Sequence, residues 1–211
     1  MKLINSPLPR LISQLLAATA LLALVPQAIA EGDATAGQQK AATCAACHGM
    51  DGNSVNPQWP SLAGQHASYI IETLAAFKSG KRSDVLMNAQ AMILADADVA
   101  DVAAYYAAQA PTQRTADPTL AKSGERIYRG GDTDNNVSAC IACHGPSGRG
   151  NAPAGYPSLT GQHSVYTAKQ LNDYKSGART SDGDQKIMRD ISANLSAEQI
   201  EAVSAYIQGL R

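Results

Sequence analysis

Two copies of a Cys-x-x-Cys-His motif constrain this sequence more than any other feature. The chain reads CAACHG at 44–49 and CIACHG at 140–145, so the motifs stand 96 positions apart and use all 4 cysteines. A Cys-x-x-Cys pair is typical of a zinc half-site, a redox disulfide or, when a histidine follows directly, a c-type haem attachment site. Three interpretations therefore have to be compared.

The spacing disfavours zinc, and the surrounding residues disfavour a redox disulfide. A zinc ribbon needs its second cysteine pair roughly 15–20 residues after the first, so that four ligands converge on one ion. A thioredoxin-like disulfide would lie in a βαβ pattern, whereas the residues that lead into the first motif, AGQQKAAT, are poor in strand formers. Covalent haem is the favoured interpretation, and zinc and a plain disulfide remain as minor alternatives.

The haem interpretation gives every motif residue a role. Each thiol adds to one vinyl group of the porphyrin, and the two intervening residues let both sulfurs reach one edge of the ring. The histidine that follows then lies under the iron. The predicted attachment residues and proximal iron ligands are Cys44, Cys47, His48, Cys140, Cys143 and His144. Two covalently bound haem c groups are therefore expected.

The N-terminus predicts export. Lys2 and Arg10 precede or flank a 15-residue apolar segment at 11–25, and the small residues AIA at 28–30 match a signal-peptide cleavage pattern. Residues 1–30 are thus predicted to be a cleaved signal peptide. A retained membrane anchor is the alternative, although a bilayer needs about 20 apolar residues. A periplasmic location suits thioether attachment, which is completed outside the cytoplasm.

The rest of the chain is an internal repeat. The segment PSLAGQH at 60–66 returns as PSLTGQH at 157–163. Likewise, FKSGKR at 77–82 returns as YKSGAR at 174–179. The protein is therefore one structural unit that occurs twice.

The repeat predicts two domains of one fold, at 31–110 and 119–211, with a linker at 111–118 that lacks apolar periodicity. In each copy the sequence predicts a short helix that runs into the motif, a loop, a helix, a second loop and a last helix. The middle helix is predicted at 69–78 in the first copy and at 166–175 in the second. No convincing strand alternation appears, so the predicted fold is all-α.

The last helix of the second copy has the clearest sequence signature. Ser196 and Gln199 form a capping-box pattern, in which each side chain satisfies a backbone N–H of the other residue. Ile200, Val203 and Ile207 follow at helical spacing and are predicted to face the core.

The second axial ligand of each iron decides whether the iron binds small molecules or only transfers electrons. Register in the repeat selects the candidates. Met188 stands seven residues before Leu195, and Met87 stands seven residues before the matching Leu94. Met92 has no methionine counterpart and is assigned to packing. The predicted distal ligands are Met87 and Met188.

Bis-histidine ligation is the alternative, because His66 and His163 occupy equivalent positions in the two copies. These histidines also suit a plain structural role beside a helix start. Pro60 and Pro157 lie where a backbone carbonyl can accept the other ring N–H of the proximal histidine and fix the orientation of its ring.

The segments PSLTGQH, YKSGARTSDGDQKIMRDI and LSAEQIEAVSAYIQGL resemble the di-haem cytochrome c4 family, and the resemblance covers essentially the whole exported chain. It implies two class I cytochrome domains related by a pseudo-twofold axis. It also implies an electron carrier that serves respiratory oxidases, with the cysteines, histidines and methionines named above as haem ligands. One departure is the Arg82 to Met87 spacing of five residues, against nine from Arg179 to Met188.

Three functional classes follow from the motifs and the resemblance. The first is a soluble electron shuttle without enzymatic activity, which receives electrons from a quinol-oxidising complex or another donor and delivers them to a terminal oxidase. The others are the haem subunit of a flavocytochrome c sulfide dehydrogenase and a di-haem peroxidase. Peripheral association with the membrane is compatible with all three.

Charge excludes one class of partner and separates the two halves. Without residues 1–30 the chain has 15 basic and 18 acidic residues, a net charge of −3, so no nucleic acid partner is expected. Residues 31–112 have 4 basic and 8 acidic side chains, net −4. Residues 113–211 have 11 basic and 10 acidic side chains, net +1.

Overall fold

The computed structural model describes residues 32–211, and the predicted signal peptide at 1–30 lies outside them. The described residues are helical. They contain two isolated β-bridges but no strand, so the all-α prediction is confirmed for this part of the chain. None of the described helices is both long enough and apolar enough to cross a membrane.

Within residues 32–211, each half contributes five α-helices in the same order. The helices of the first half are α1 (Ala34–Lys40), α2 (Ala45–His48), α3 (Ala67–Lys78), α4 (Val85–Ile93) and α5 (Asp96–Ala107). The helices of the second half are α6 (Pro118–Gly130), α7 (Ile141–His144), α8 (Ser164–Ser176), α9 (Ile187–Ala193) and α10 (Ala197–Gln208). Short 3-10 turns lie at Ala41–Thr43 and Ala152–Ala154.

The middle and last helices agree with the sequence within a turn. Helices α3 and α8 each begin two residues earlier than predicted, since their N-cap positions lack a capping side chain that marks the start. Helix α8 ends where Gly177 adopts a left-handed conformation with φ 75°. In α10, Ser196 Oγ accepts from Gln199 N at 3.1 Å and Gln199 Oε1 accepts from Ser196 N at 2.8 Å, so the capping box is confirmed.

The methionine segments differ from the prediction. The sequence predicted loops there, whereas Met87 lies in α4 and Met188 lies in α9. Helix α4 begins after Asp84, whose carboxylate accepts from Leu86 N at 3.1 Å and from Met87 N at 3.0 Å. This cap satisfies two of the N–H groups that a helix start leaves free, which stabilises a short helix.

The core of each half forms where the first and last helices cross. Helix α1 packs against α5, and α6 packs against α10. Gly37 and Gly124 lie at these crossings, each beside the backbone of the opposing helix. In α10, the predicted core residues Ile200, Val203 and Ile207 are 2%, 1% and 3% exposed, so their burial is confirmed.

The two halves meet through reciprocal hydrogen bonds. Gln65 Nε2 donates to the Ser158 carbonyl at 2.8 Å, and Gln65 Oε1 accepts from Ser158 N at 2.9 Å. Gln162 repeats both bonds with Ser61, at 3.0 Å each. Such exchange of equivalent contacts is the signature of an isologous interface, here formed by a pseudo-twofold axis within one chain.

Residues 110–117 connect the halves without helix or strand, and α6 begins at Pro118. The side chain of Arg114 links both halves from this segment. Its guanidinium donates to the Ser54 carbonyl at 2.9 Å and to the Gly161 carbonyl. The connection is therefore fixed to the surface on which the halves meet.

Candidate haem-binding site

A continuous cavity of about 1460 Å³ extends through both halves. Its walls come from the motif helices α2 and α7, the methionine helices α4 and α9, and the long helices α3 and α8. Every residue that the sequence predicted as a haem or iron ligand lines this cavity, namely Cys44, Cys47, His48, Met87, Cys140, Cys143, His144 and Met188. Folding therefore brings together residues up to 48 positions apart in each half.

The motif histidines are buried and oriented by backbone carbonyls. His48 is 5% exposed, and its Nδ1–H donates to the Pro60 carbonyl at 2.8 Å. His144 is 7% exposed, and its Nδ1–H donates to the Pro157 carbonyl at 2.9 Å. The predicted proline contacts are confirmed. They fix the ring orientation and the tautomer, so that each Nε2 keeps the lone pair with which an imidazole binds metal.

Burial also sets the protonation of these groups. It lowers the pKa of His48 and of His144, and the hydrogen bonds to the proline carbonyls only partly oppose it. Burial likewise raises the pKa of the Cys44 thiol and brings that of Cys140 to about 11. The imidazoles are therefore neutral at pH 7, which is the form that ligates metal.

The methionines and the other histidines fall into different environments. Met87 and Met188 line the cavity, whereas Met92 is 66% exposed and does not line it. Neither His66 nor His163 lines the cavity. His163 instead donates from Nε2 to the Ser54 carbonyl at 2.8 Å. These positions suit methionine rather than histidine as the second axial ligand.

Two buried arginines line the cavity where the halves meet. Arg82 and Arg179 are 8% and 6% exposed. Arg82 Nη2 donates to the Tyr166 hydroxyl at 2.6 Å, and Arg179 Nη2 donates to the Tyr69 hydroxyl at 2.9 Å. Both guanidinium groups also donate to Gln170 Oε1, each at 2.8 Å. Within residues 32–211, neither arginine forms an ion pair with a carboxylate.

This donor set fits haem. A haem combines an apolar ring with two carboxylates, and buried guanidinium groups usually require an anionic partner. The same charges act on Tyr69, because burial raises its pKa but Arg179 and Arg82 outweigh burial and lower it to about 8. The arginines thus provide the positive charge that haem carboxylates would balance.

Sequence reasoning missed the arginines and the interface glutamines. Their common signal is retention in both copies at matched positions, as KSG-x-R and GQH. That signal carried no chemistry before the cavity was visible, because neither arginine lies near a motif cysteine in the sequence. Gln170 had no such signal, since Thr73 occupies its position in the first copy.

Comparison with known proteins agrees with this geometry. The profile of the cytochrome c family matches residues 34–108 and 121–211. Cytochrome c4 of Pseudomonas aeruginosa is 51% identical over 189 residues, which cover 90% of this chain and 94% of that protein. The chain belongs to the cytochrome c4 family. The crystal structure of reduced recombinant cytochrome c4 from Pseudomonas stutzeri matches with a TM-score of 0.83 at 49% identity, over 85% of this chain and 100% of that one.

Membership in the cytochrome c4 family decides the cofactor and the class of function. The protein binds haem c covalently and transfers electrons rather than catalysing a reaction. A more distant relative is the thiosulfate dehydrogenase electron acceptor of Thiomonas intermedia. It is 34% identical over 173 residues, covering 80% of this chain and 78% of that protein.

Proposed function

We propose that this di-haem cytochrome is a periplasmic shuttle that passes single electrons along a respiratory chain to a terminal oxidase. The observation that carries the proposal is the pairing of a carbonyl-fixed histidine with a methionine from a separate helix in each half of the cavity. An iron with both axial positions filled transfers electrons and offers no position for substrate.

In this proposal each half holds one haem. Cys44 and Cys47 attach the first haem, and Cys140 and Cys143 attach the second. His48 with Met87, and His144 with Met188, are the axial ligand pairs. The bound haem supplies a one-electron ferric–ferrous couple.

The rest of the chain holds the ligands in place. The carbonyls of Pro60 and Pro157 keep the imidazoles in one orientation, so little reorganisation accompanies a change of charge. Arg82 and Arg179 hold positive charge inside the cavity, where the haem carboxylates need it.

Carbon monoxide binding tests the axial ligands. The reduced wild-type protein should bind no carbon monoxide rapidly, while Met87→Ala should bind one equivalent. Met92→Ala is the matched control, because it removes an exposed methionine from the same helix. Rapid stoichiometric binding by the wild type, or opening by Met92→Ala instead of Met87→Ala, would refute the assignment.

We further propose the predicted division into a signal peptide at 1–30, domains at 31–110 and 119–211, and a linker at 111–118. The two separate family matches, which begin and end near these bounds, support it. N-terminal sequencing of the haem-loaded protein isolated from the periplasm should begin at Glu31. A retained N-terminus in the membrane fraction would contradict export as a soluble carrier.

A second candidate donor follows from the thiosulfate dehydrogenase relative. Its name identifies it as an electron acceptor, so this chain could receive electrons from thiosulfate oxidation before it passes them on. Reduction of the oxidised protein by a purified thiosulfate dehydrogenase with thiosulfate would favour this donor. Reduction only by a quinol-oxidising complex would exclude it.

A further inference from the structure

Helix α4 exposes an apolar stripe on the first half. Val85 is 90% exposed, Met92 is 66% exposed, and Ala89 between them is exposed as well. Positions i, i+4 and i+7 lie on one face of a helix, so these three side chains form one surface, called here the α4 stripe. None of the three lines the haem cavity.

The second half is a matched comparison for this surface. With Met87 aligned on Met188, the α4 stripe corresponds to Lys186, Asp190 and Ala193. All three of these residues are exposed too. The fold therefore accepts charged residues at the same places, and nothing in its packing requires apolar ones. The apolar character is specific to the first half, and contiguous exposed apolar surface marks an interaction site.

The charge around the α4 stripe indicates the kind of partner. Asp84 immediately precedes the stripe, and the Asp96 side chain, just beyond the end of α4, is 93% exposed. Residues 31–112 as a whole carry 4 basic and 8 acidic side chains, net −4. An apolar contact within an acidic surround is complementary to an apolar patch ringed by basic residues.

We propose that the α4 stripe is the docking surface for a one-electron redox protein whose contact patch is apolar and ringed by lysine and arginine. The inference rests on the proposed function, because α4 also carries Met87, the proposed ligand of the first iron. A partner on this helix lies on the distal side of that haem. One electron crosses the interface, so one protein is oxidised as the other is reduced, and no bond forms or breaks.

The test measures electron transfer by the haem-loaded protein in a stopped-flow instrument. The probe is ferric mitochondrial cytochrome c, a small basic redox protein, at low ionic strength. The variant Val85→Lys/Ala89→Asp/Met92→Ala gives the α4 stripe the residues of the second half without altering net charge. Its second-order rate constant should fall at least about fivefold, as loss of a central apolar contact predicts. Oxidation by ferricyanide should be unchanged.

The control variant is Lys186→Asn/Asp190→Asn in the second half, which also leaves net charge unchanged. Asparagine tolerates the left-handed conformation of Lys186, whose φ is 52°. The control should react with the probe at the wild-type rate. Equal rates in wild type and the α4 variant, or an equal loss in the control, would overturn the proposal.

Two further outcomes are assigned in advance. Sedimentation velocity that shows a wild-type dimer, lost in the α4 variant, would make a second copy of this chain the occupant and overturn the redox-partner assignment. Failure of the wild type to exchange electrons with ferricyanide would instead refute the proposed function. The docking proposal and the proposed function can therefore fail separately.

Discussion

Replacing Gly124 by alanine tests how closely α6 and α10 cross in the second half. A Cβ atom at this position would lie 2.7 Å from the Ala202 carbonyl carbon and 2.7 Å from Tyr206 Cβ. The Ala202 carbonyl oxygen would be closer still. Ordinary contacts of a Cβ begin near 3.4 Å, so the helices have to separate by about 0.7 Å or more.

The cost of that separation follows from what the methyl group meets. It meets backbone and a Cβ atom, neither of which can rotate away, so the cost lies near the upper end of the about 1–3 kcal/mol typical of overpacked cores. Alanine returns up to about 1 kcal/mol through its higher helix propensity. The expected net loss is about 2 kcal/mol, which lowers the Tm of a protein of this size by about 4–8 °C.

Gly130 provides the control on the same helix. A Cβ there would meet nothing within 4 Å. Gly130→Ala keeps the propensity gain without the clash, so its Tm should equal or exceed that of the wild type. The assay is thermal unfolding of the haem-loaded proteins, followed by far-UV circular dichroism. If Gly124→Ala were as stable as Gly130→Ala, the close crossing of α6 and α10 would be refuted.

Three further predictions concern the interface, a helix cap and the haem potentials. Gln65→Ala removes both hydrogen bonds with Ser158 and should cost about 1–2 kcal/mol in denaturant unfolding; an unchanged midpoint would contradict it. Ser196→Ala removes the capping box of α10 and should cost about 1 kcal/mol, measured in the same way. The haem of residues 113–211 (net +1) should be reduced before that of residues 31–112 (net −4). Five charges at about 15 Å, screened by salt, shift a potential by a few tens of millivolts, and spectroelectrochemical titration with loss of the higher wave on Met87→His would refute this order.

Local chemistry made part of the fold predictable. The capping box at Ser196 and Gln199 fixed the start of α10, and apolar spacing predicted which of its residues are buried. The same reasoning placed α3 and α8 but began each two residues late. His66 and His163, at their N-caps, make no side-chain cap that could mark the start.

Helices α4 and α9 were not predictable in the same way. Helix α4 reads VLMNAQAMI, which is apolar on nearly every face, so no periodic pattern separates a buried side from an exposed one. Helix α9 is only seven residues long, and it begins after Lys186 in a left-handed conformation rather than after a capping side chain. Tertiary packing around the cavity, not local propensity, holds both segments as helices.

The contacts between the halves also break the symmetry that the repeat predicts. Both arginines of the cavity, Arg82 and Arg179, donate to the single acceptor Gln170 Oε1. Thr73 occupies the matching position in the first half and has a shorter side chain. The two guanidinium groups are thus both tied to the second half, although their own positions are equivalent. Charge inside the cavity therefore differs between the two haem pockets independently of the surface charge of each half.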